Sequence, residues 1–224
     1  MDVDDITKAW DEVGKTDRAQ RAIHPTGGMS AEEYEASGRA QAQQVSDLIW
    51  TYAVSSTPGD PKVADFGCGD GRVLKYVIEE FPDTWGIDAS AAMLVKLVGR
   101  VGGVSGQTIH SDGRGDSLKD LKADFIYSLA VFIHHDHVGG RAMIGGLAAG
   151  LRPGGFLALQ IPCYEHPRER SAWNDVTVWT REQIKSAVRS AGLSVVELWD
   201  NPGEFSFANV GPNHHRMQLF RKGV

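Results

Sequence analysis

The sequence predicts an α/β protein built on a doubly wound, mostly parallel sheet, with a helical extension at its N-terminus. Short apolar runs and helical stretches alternate from residue 62 onward, a pattern that implies a parallel sheet covered on both faces. The run Val63-Ala64-Asp65-Phe66 ends beside an acid, passes through Gly67-Cys68-Gly69-Asp70-Gly71 and enters a helix at Arg72. Seventeen residues after Gly71, a second apolar run, Trp85-Gly86-Ile87, ends in Asp88.

The elements follow in order. Residues 5–22 read as a helix with Trp10 and Val13 on an apolar stripe, broken by Pro25 and Gly27-Gly28. Ser30-x-x-Glu33 is a capping box that opens a second helix running to about Val54. Ser55 to Pro61 is a turn-rich link. Strands are expected at 62–66, 84–88, 107–110, 123–129, 155–161 and 193–199, and helices at 72–81, 90–99, 137–150 and 180–191. Asp136 and Thr180 are placed to cap the last two helices. A final strand near 214–221 follows a long loop. The division expected is residues 1–57 as a helical lid or extension and 58–224 as the core domain.

Composition narrows the function classes. The chain of 224 residues is long enough for one large domain with a full core. Its formal net charge of −6 and the lack of a Lys/Arg-rich run argue against a nucleic-acid partner. No apolar run reaches the length of a membrane span. The acidic start Met1-Asp2-Val3-Asp4-Asp5 lacks a signal pattern, and two cysteines, Cys68 and Cys163, give no disulfide framework. A cytoplasmic location is the default expectation.

The glycine stretch is spaced G-x-G-x-G, which differs from the dinucleotide fingerprint. Its glycines let backbone approach a ligand closely. Asp65 ahead of them would repel a pyrophosphate and suits a ligand with a cationic end, such as an amino acid's ammonium. Asp88 is placed to accept hydrogen bonds from ribose hydroxyls. The stretch from Asp65 to Gly71 resembles the first motif, (D/E)-x-G-x-G-x-G, of the class I S-adenosylmethionine-dependent methyltransferases. Four more segments match in order: Asp88, His110-Ser111-Asp112-Gly113, Asp124 to His135, and Leu151-Arg152-Pro153-Gly154-Gly155. The resemblance implies a seven-stranded sheet of order 3-2-1-4-5-7-6 with S-adenosyl-L-methionine at the switch point. It implies cofactor contacts from Asp65, Gly67, Cys68, Gly69, Asp88, Ala89, Met93, Asp112, Gly113 and Ser128. It also implies a lid made by the N-terminal helices, where Arg39 is a candidate clamp for the cofactor carboxylate and Tyr34 and His24 are candidates to face the site.

Catalytic candidates lie just after the fourth strand, in His134-His135-Asp136-His137. Histidine titrates near neutral pH and suits a general base. His135 is taken first and His134 second. A metal held by this cluster would need distant partners such as His166 or His214-His215, and none is assigned. Tyr164, His166, Trp173 and Trp179 make the stretch 162–180 a second acceptor-facing candidate, although Trp179 also reads as the packed start of a helix. The segment Ser128-Leu129-Ala130-Val131 lacks the Pro-Pro of DNA amino methyltransferases, and Pro162-Cys163 lies in the wrong place for a cytosine-C5 enzyme. A paired-glutamate loop of protein arginine enzymes is missing too. Glu35-Ala36-Ser37-Gly38-Arg39 is loosely similar to the lead-in of bacterial enzymes that methylate sugars or glycans. The expected reaction is methyl transfer to a small-molecule or sugar hydroxyl. An N- or C-methyltransferase acting on a metabolite, and a non-catalytic cofactor-binding protein, stay open beside it. The sequence leaves the oligomeric state undecided.

Overall fold

The computed structural model describes residues 3–16, 30–102, 107–169, 176–201 and 217–224. Its centre is a seven-stranded sheet of order β3-β2-β1-β4-β5-β7-β6. The strands are β1 (Val63–Phe66), β2 (Thr84–Asp88), β3 (Thr108–His110), β4 (Ala123–Ser128), β5 (Leu151–Leu159), β6 (Leu193–Glu197) and β7 (Gln218–Lys222). Strands β1 to β5 pair in parallel, and β7 runs antiparallel to both β5 and β6. Every residue of β1 and β4 is buried, as strands covered on both faces require.

The helices are α1 (Val3–Gly14), α2 (Ala31–Leu48), α3 (Leu74–Glu80), α4 (Ala91–Val101), α5 (His137–Gly150) and α6 (Arg181–Ser190). Alternation along each strand divides the core. Ile126 and Leu157 meet Met143, Ile144 and Leu147 of α5 and Ile184 and Val188 of α6. On the other face Phe125, Tyr127 and Ala158 meet Ala42 and Val45 of α2, Ile49 just beyond it and Val77 of α3. The second half of α2 is therefore part of the sheet's cover, while α1 lies against α4.

The local signals act as the sequence indicates. Ser30 accepts from the Glu33 N–H while Glu33 reaches back to the Ser30 N–H. Asp136 accepts from the Gly139 N–H at 2.7 Å, and Thr180 forms a reciprocal box with Gln183. The larger boundary shifts have local causes. Helix α1 ends at Gly14, and residues 17–22 of the expected first helix lie outside the described residues. Helix α2 stops at Leu48 and passes into a π turn over Ile49–Ala53 and a 3₁₀ turn over Val54–Ser56. There the hydroxyls of Thr51, Ser55 and Ser56 take the carbonyls of Asp47, Thr51 and Tyr52, competing with regular helical bonds. Strand β5 begins at Leu151, because Arg152 is anchored on Asp124 and the Pro153-Gly154-Gly155 turn becomes an irregularity inside the strand. Of the final strand, residues 214–216 lie outside the described residues.

Gly38 is where α2 crosses the chain entering α3. A Cβ there would overlap the carbonyl oxygen of Arg72, a backbone atom that cannot turn aside. Alanine favours a helix over glycine, but by only about 1 kcal/mol. Gly38→Ala is expected to destabilise the fold by about 1–3 kcal/mol in urea unfolding, because the overlap outweighs that gain.

Candidate active site

The site is built where β1 and β2 end side by side, with Asp65 level with Gly86 and Phe66 with Ile87. The chain leaving β1 turns over the end of β2, and the N–H groups of Gly67 and Cys68 both donate to the Ile87 carbonyl, at 2.7 and 3.1 Å. Asp88 then holds the turn: its carboxylate accepts from the Gly69 N–H and the Ser90 N–H, each at 2.8 Å. Gly69 has φ +55°, in the left-handed region that costs other residues about 1–2 kcal/mol. A Cβ on Gly69 would meet nothing within 4 Å, so the turn presents bare backbone to open space.

Asp70 points the other way. It accepts from the Tyr34 hydroxyl at 2.8 Å and from Arg100 at 2.7 Å. The buried Tyr34 ring lies between two guanidinium groups, Arg72 at 5.5 Å and Arg100 at 5.6 Å. Arg72 donates to Ser37 at 3.0 Å and to Gln41. Glu35 gathers Lys75, Arg100 and the Tyr76 hydroxyl. This network joins α2, the glycine turn, α3 and α4.

The far side of the site follows β3. His110 Nε2 lies 3.0 Å from the Ala89 carbonyl, and the Ser111 N–H donates to the Asp88 carbonyl at 2.9 Å. Asp112, exposed, accepts from the N–H groups of Arg114 and Gly115. The Gly113 N–H donates to Ser111 Oγ at 3.1 Å. Met93 is buried in the first turn of α4, which Ser90 caps.

At the end of β4 the Ser128 hydroxyl donates to the Phe66 carbonyl at 2.8 Å and is fully buried. Ala130 follows with φ +58°, a strained conformation for a residue with a Cβ, and its N–H donates to Gln160 Oε1 at 3.0 Å. A 3₁₀ turn over Phe132–His134 then presents the histidines. His134 is half-buried, with its ring edge-on to Trp10 of α1 at 5.1 Å, and His135 is buried. His137 faces the Val178 carbonyl at 3.0 Å and the Glu169 carboxylate, and packs edge-on against Trp179. The Thr177 N–H donates to the Ile133 carbonyl at 3.0 Å, so the segments after β4 and β5 are stitched together.

Helix α1 lies beside these strand ends. Asp11 accepts from the Ser90 hydroxyl at 3.0 Å and the Ala92 N–H at 3.2 Å. Asp4 lies 3.6 Å from Arg114, in the turn after β3. With Trp10 on His134, α1 touches three parts of the site.

Burial dominates the electrostatics. Asp65 is pushed up to about 7 by burial; the Tyr127 hydroxyl pulls it down, Asp88 pushes it further up and Arg72 pulls it down. Burial also raises Asp88, against the N–H groups of Ser90, Gly69 and Ala89 that stabilise its charge. Burial and the neighbouring acids push the Cys68 thiol well above its ordinary value. Burial first, then Asp200, takes the Cys163 thiol up to about 12, so neither cysteine is a ready thiolate.

A family profile described as "Methyltransferase domain" matches residues 37–198. The chain belongs to the class I S-adenosylmethionine-dependent methyltransferases. Among curated relatives it is 29% identical over 174 residues to trans-aconitate 2-methyltransferase of Acidovorax ebreus (strain TPSY), covering 72% of this chain and 63% of that protein. It is 32% identical over 132 residues to the enzyme of the same name from Streptomyces avermitilis, covering 54% of this chain and 46% of the relative. The matched part therefore spans less than two thirds of those relatives' length. Magnesium protoporphyrin IX methyltransferase from Synechocystis PCC 6803, solved with bound S-adenosylmethionine, superposes with TM-score 0.64 at 21% identity, covering 100% of this chain and 98% of that one. The [4+2]-cyclase SpnF superposes with TM-score 0.66 at 16% identity, covering 98% of this chain and 95% of that one. These two likenesses are of fold.

Asp65 lies in β1 and Asp88 ends β2, Gly67, Cys68, Gly69, Ala89, Asp112 and Gly113 lie in the turns after β1, β2 and β3, and Met93 lies in the first turn of α4. Ser128 is the last residue of β4, and its hydroxyl is spent on the Phe66 carbonyl. Arg39 stands exposed with its guanidinium 4.6 Å over the Tyr76 ring of α3. The buried guanidinium near Asp65 is that of Arg72. Tyr34 serves the turn through Asp70. His166 is exposed, and His24, Trp173 and His214-His215 lie outside the described residues. Among the described residues no three His, Cys, Asp or Glu side chains converge to hold a metal ion, and no helix is long and apolar enough to cross a membrane. Sequence reasoning missed Asp70, Arg100, Asp11 and Tyr127; each acts through a partner distant in the chain. Trp10 was visible only as part of an apolar stripe.

Asp65 titrates near 3.8 when unfolded and about 7 when folded. Between those values the folded state keeps a proton that the unfolded chain releases. Stability therefore falls as pH rises from about 4 to 7, and the loss is complete above 7. Asp65→Asn removes this dependence. Its stability relative to the parent, from urea unfolding, is expected to improve by roughly 2–4 kcal/mol between pH 4 and pH 8.

Proposed function

We propose that this protein transfers the methyl group of S-adenosylmethionine to an oxygen of a small-molecule acceptor, with a metabolite or sugar hydroxyl as the first choice. The observation that carries this reading is the pair His134-His135 in the turn after β4, beside the strand ends that hold Asp65, Gly69 and Asp88. The cofactor supplies a methyl group already activated on a sulfonium. The protein's task is then mainly alignment.

The residues present suit that group. Asp65 answers the cofactor's ammonium, Asp88 its ribose hydroxyls, and the bare backbone at Gly69 admits it closely. Asp112 and Gly113 suit the adenine edge, with Ala89 and Met93 along its side. Residues 1–57 act as a cover over the core of 58–224, with α1 seated through Trp10, Asp11 and Asp4. His135 or His134 takes the acceptor's proton. A second reading is favoured by the relatives named for trans-aconitate: the acceptor oxygen belongs to a carboxylate, which has no proton to lose.

Calorimetry is expected to give micromolar binding of S-adenosylmethionine and S-adenosylhomocysteine, lost in Asp88→Ala. Absence of binding by folded parent protein would sink the assignment. With a hydroxyl acceptor, His135→Ala or His134→Ala is expected to cost about 10²–10⁴-fold in kcat with little change in cofactor affinity. Turnover that survives both replacements points to a carboxylate, amine or carbon acceptor. Cofactor binding with no turnover on any acceptor leaves a non-catalytic binding protein.

A further inference from the structure

The carboxyl of Asp65 is buried at the end of β1, level in register with Tyr127 on the neighbouring β4. Both side chains lie on the sheet face that α2 and α3 cover. Four groups bear on Asp65 or are borne on by it. Asp88 from β2 repels its charge, Arg72 at the start of the α3 segment attracts it, Cys68 lies in the turn, and Tyr127 comes from β4. Asp88 brings no donor. The guanidinium of Arg72 is committed to Ser37 and Gln41. The Cys68 thiol points at the Gly69 carbonyl, at 3.7 Å. The fully buried Tyr127 hydroxyl meets no acceptor at full hydrogen-bond geometry where it stands, yet it is within reach of the Asp65 carboxyl.

We infer that Tyr127 is a positioning residue for the cofactor site, its phenol donating to Asp65 so that the carboxylate is ionised and aimed when a cationic ligand arrives. This rests on the proposal that Asp65 receives the ammonium of S-adenosylmethionine. The phenol is suited to the task. Burial and the adjacent carboxylate raise its own titration, so it stays a donor throughout the working range. A hydrogen bond to the charged form of an acid stabilises that form. Losing one to a charged group shifts a titration by about one pH unit.

The test compares the parent with Tyr127→Phe, which keeps the ring and removes only the donor. The titration of Asp65 is followed by carbon-13 NMR in ligand-free protein, and S-adenosylmethionine affinity is measured by calorimetry from pH 5.5 to 9. The Asp65 midpoint is expected to rise by about one pH unit, and the acid limb of the affinity profile to move with it. Affinity below pH 6.5 should fall roughly tenfold, while the alkaline limb, set by the ligand's own amino group, stays in place. In an Asp65→Asn background that acid limb should be absent, and the same replacement should leave the remaining affinity profile unchanged. An unmoved Asp65 midpoint overturns the inference, because a merely structural tyrosine predicts that result. A midpoint that moves without the acid limb following overturns it too, by separating Asp65 from the ligand. Parent protein that binds no S-adenosylmethionine overturns the functional proposal instead, and the ligand-free titration still reports on the pair.

Discussion

The turn after β1 is held from both sides, and the site depends on that. On the inner side Asp88 takes the Gly69 N–H, and the Ile87 carbonyl takes the two N–H groups before it. On the outer side Asp70 is gripped by Tyr34 and Arg100. A glycine-rich turn loses much conformational freedom when ordered. Charge-assisted bonds to two carboxylates, one of them buried, offset part of that cost and fix which way the bare backbone faces. The same bonds bring α2 and α4 against the turn, so the helical extension and the site are one construction.

The arrangement gathers acids in a poorly solvated place. Asp65 and Asp88 lie at the ends of adjacent strands, where burial raises both and each charge disfavours the other. Without a ligand that is a liability for folding. In the function proposed above, a cationic ligand adds to the attraction that Arg72 already exerts on Asp65. The neighbouring cation Arg72 is occupied by α2, through Ser37 and Gln41. Helix α2 thus fixes the place of that guanidinium through neutral partners, and its charge still acts on Asp65.

The turns after β4 and β5 are organised differently. The segments after β4 and β5 are tied together by the Thr177 bond to Ile133 and by the contacts of His137 with Val178 and Glu169. Ala130 keeps a strained backbone just before the histidines, a kind of conformation that collects at functional turns. Fold alone does not choose the reaction here. The same architecture carries a magnesium protoporphyrin methyltransferase and a [4+2]-cyclase. What these turns present to an acceptor is the deciding chemistry.

Local information sufficed for much of this. Alternating buried runs, the caps at Ser30, Asp136 and Thr180, and the G-x-G-x-G turn between two strand-end acids are each written within a few consecutive residues. They determine the parallel sheet, the helix starts and the place of the glycine turn. The order of strands came from the match of five segments to a family, since no single segment encodes its neighbours. Tertiary structure decided what depends on residues far apart in the chain. It set Arg39 on Tyr76 and gave Arg72 the buried position, because the tight crossing at Gly38 fixes which side of α2 faces the turn. It joined Asp70 to Tyr34 and Arg100 and Trp10 to His134, and it set Tyr127 level with Asp65 on one buried sheet face. Sequence names the chemical groups; only packing fixes which of them share a desolvated volume, and there a charge or a hydroxyl acquires its function.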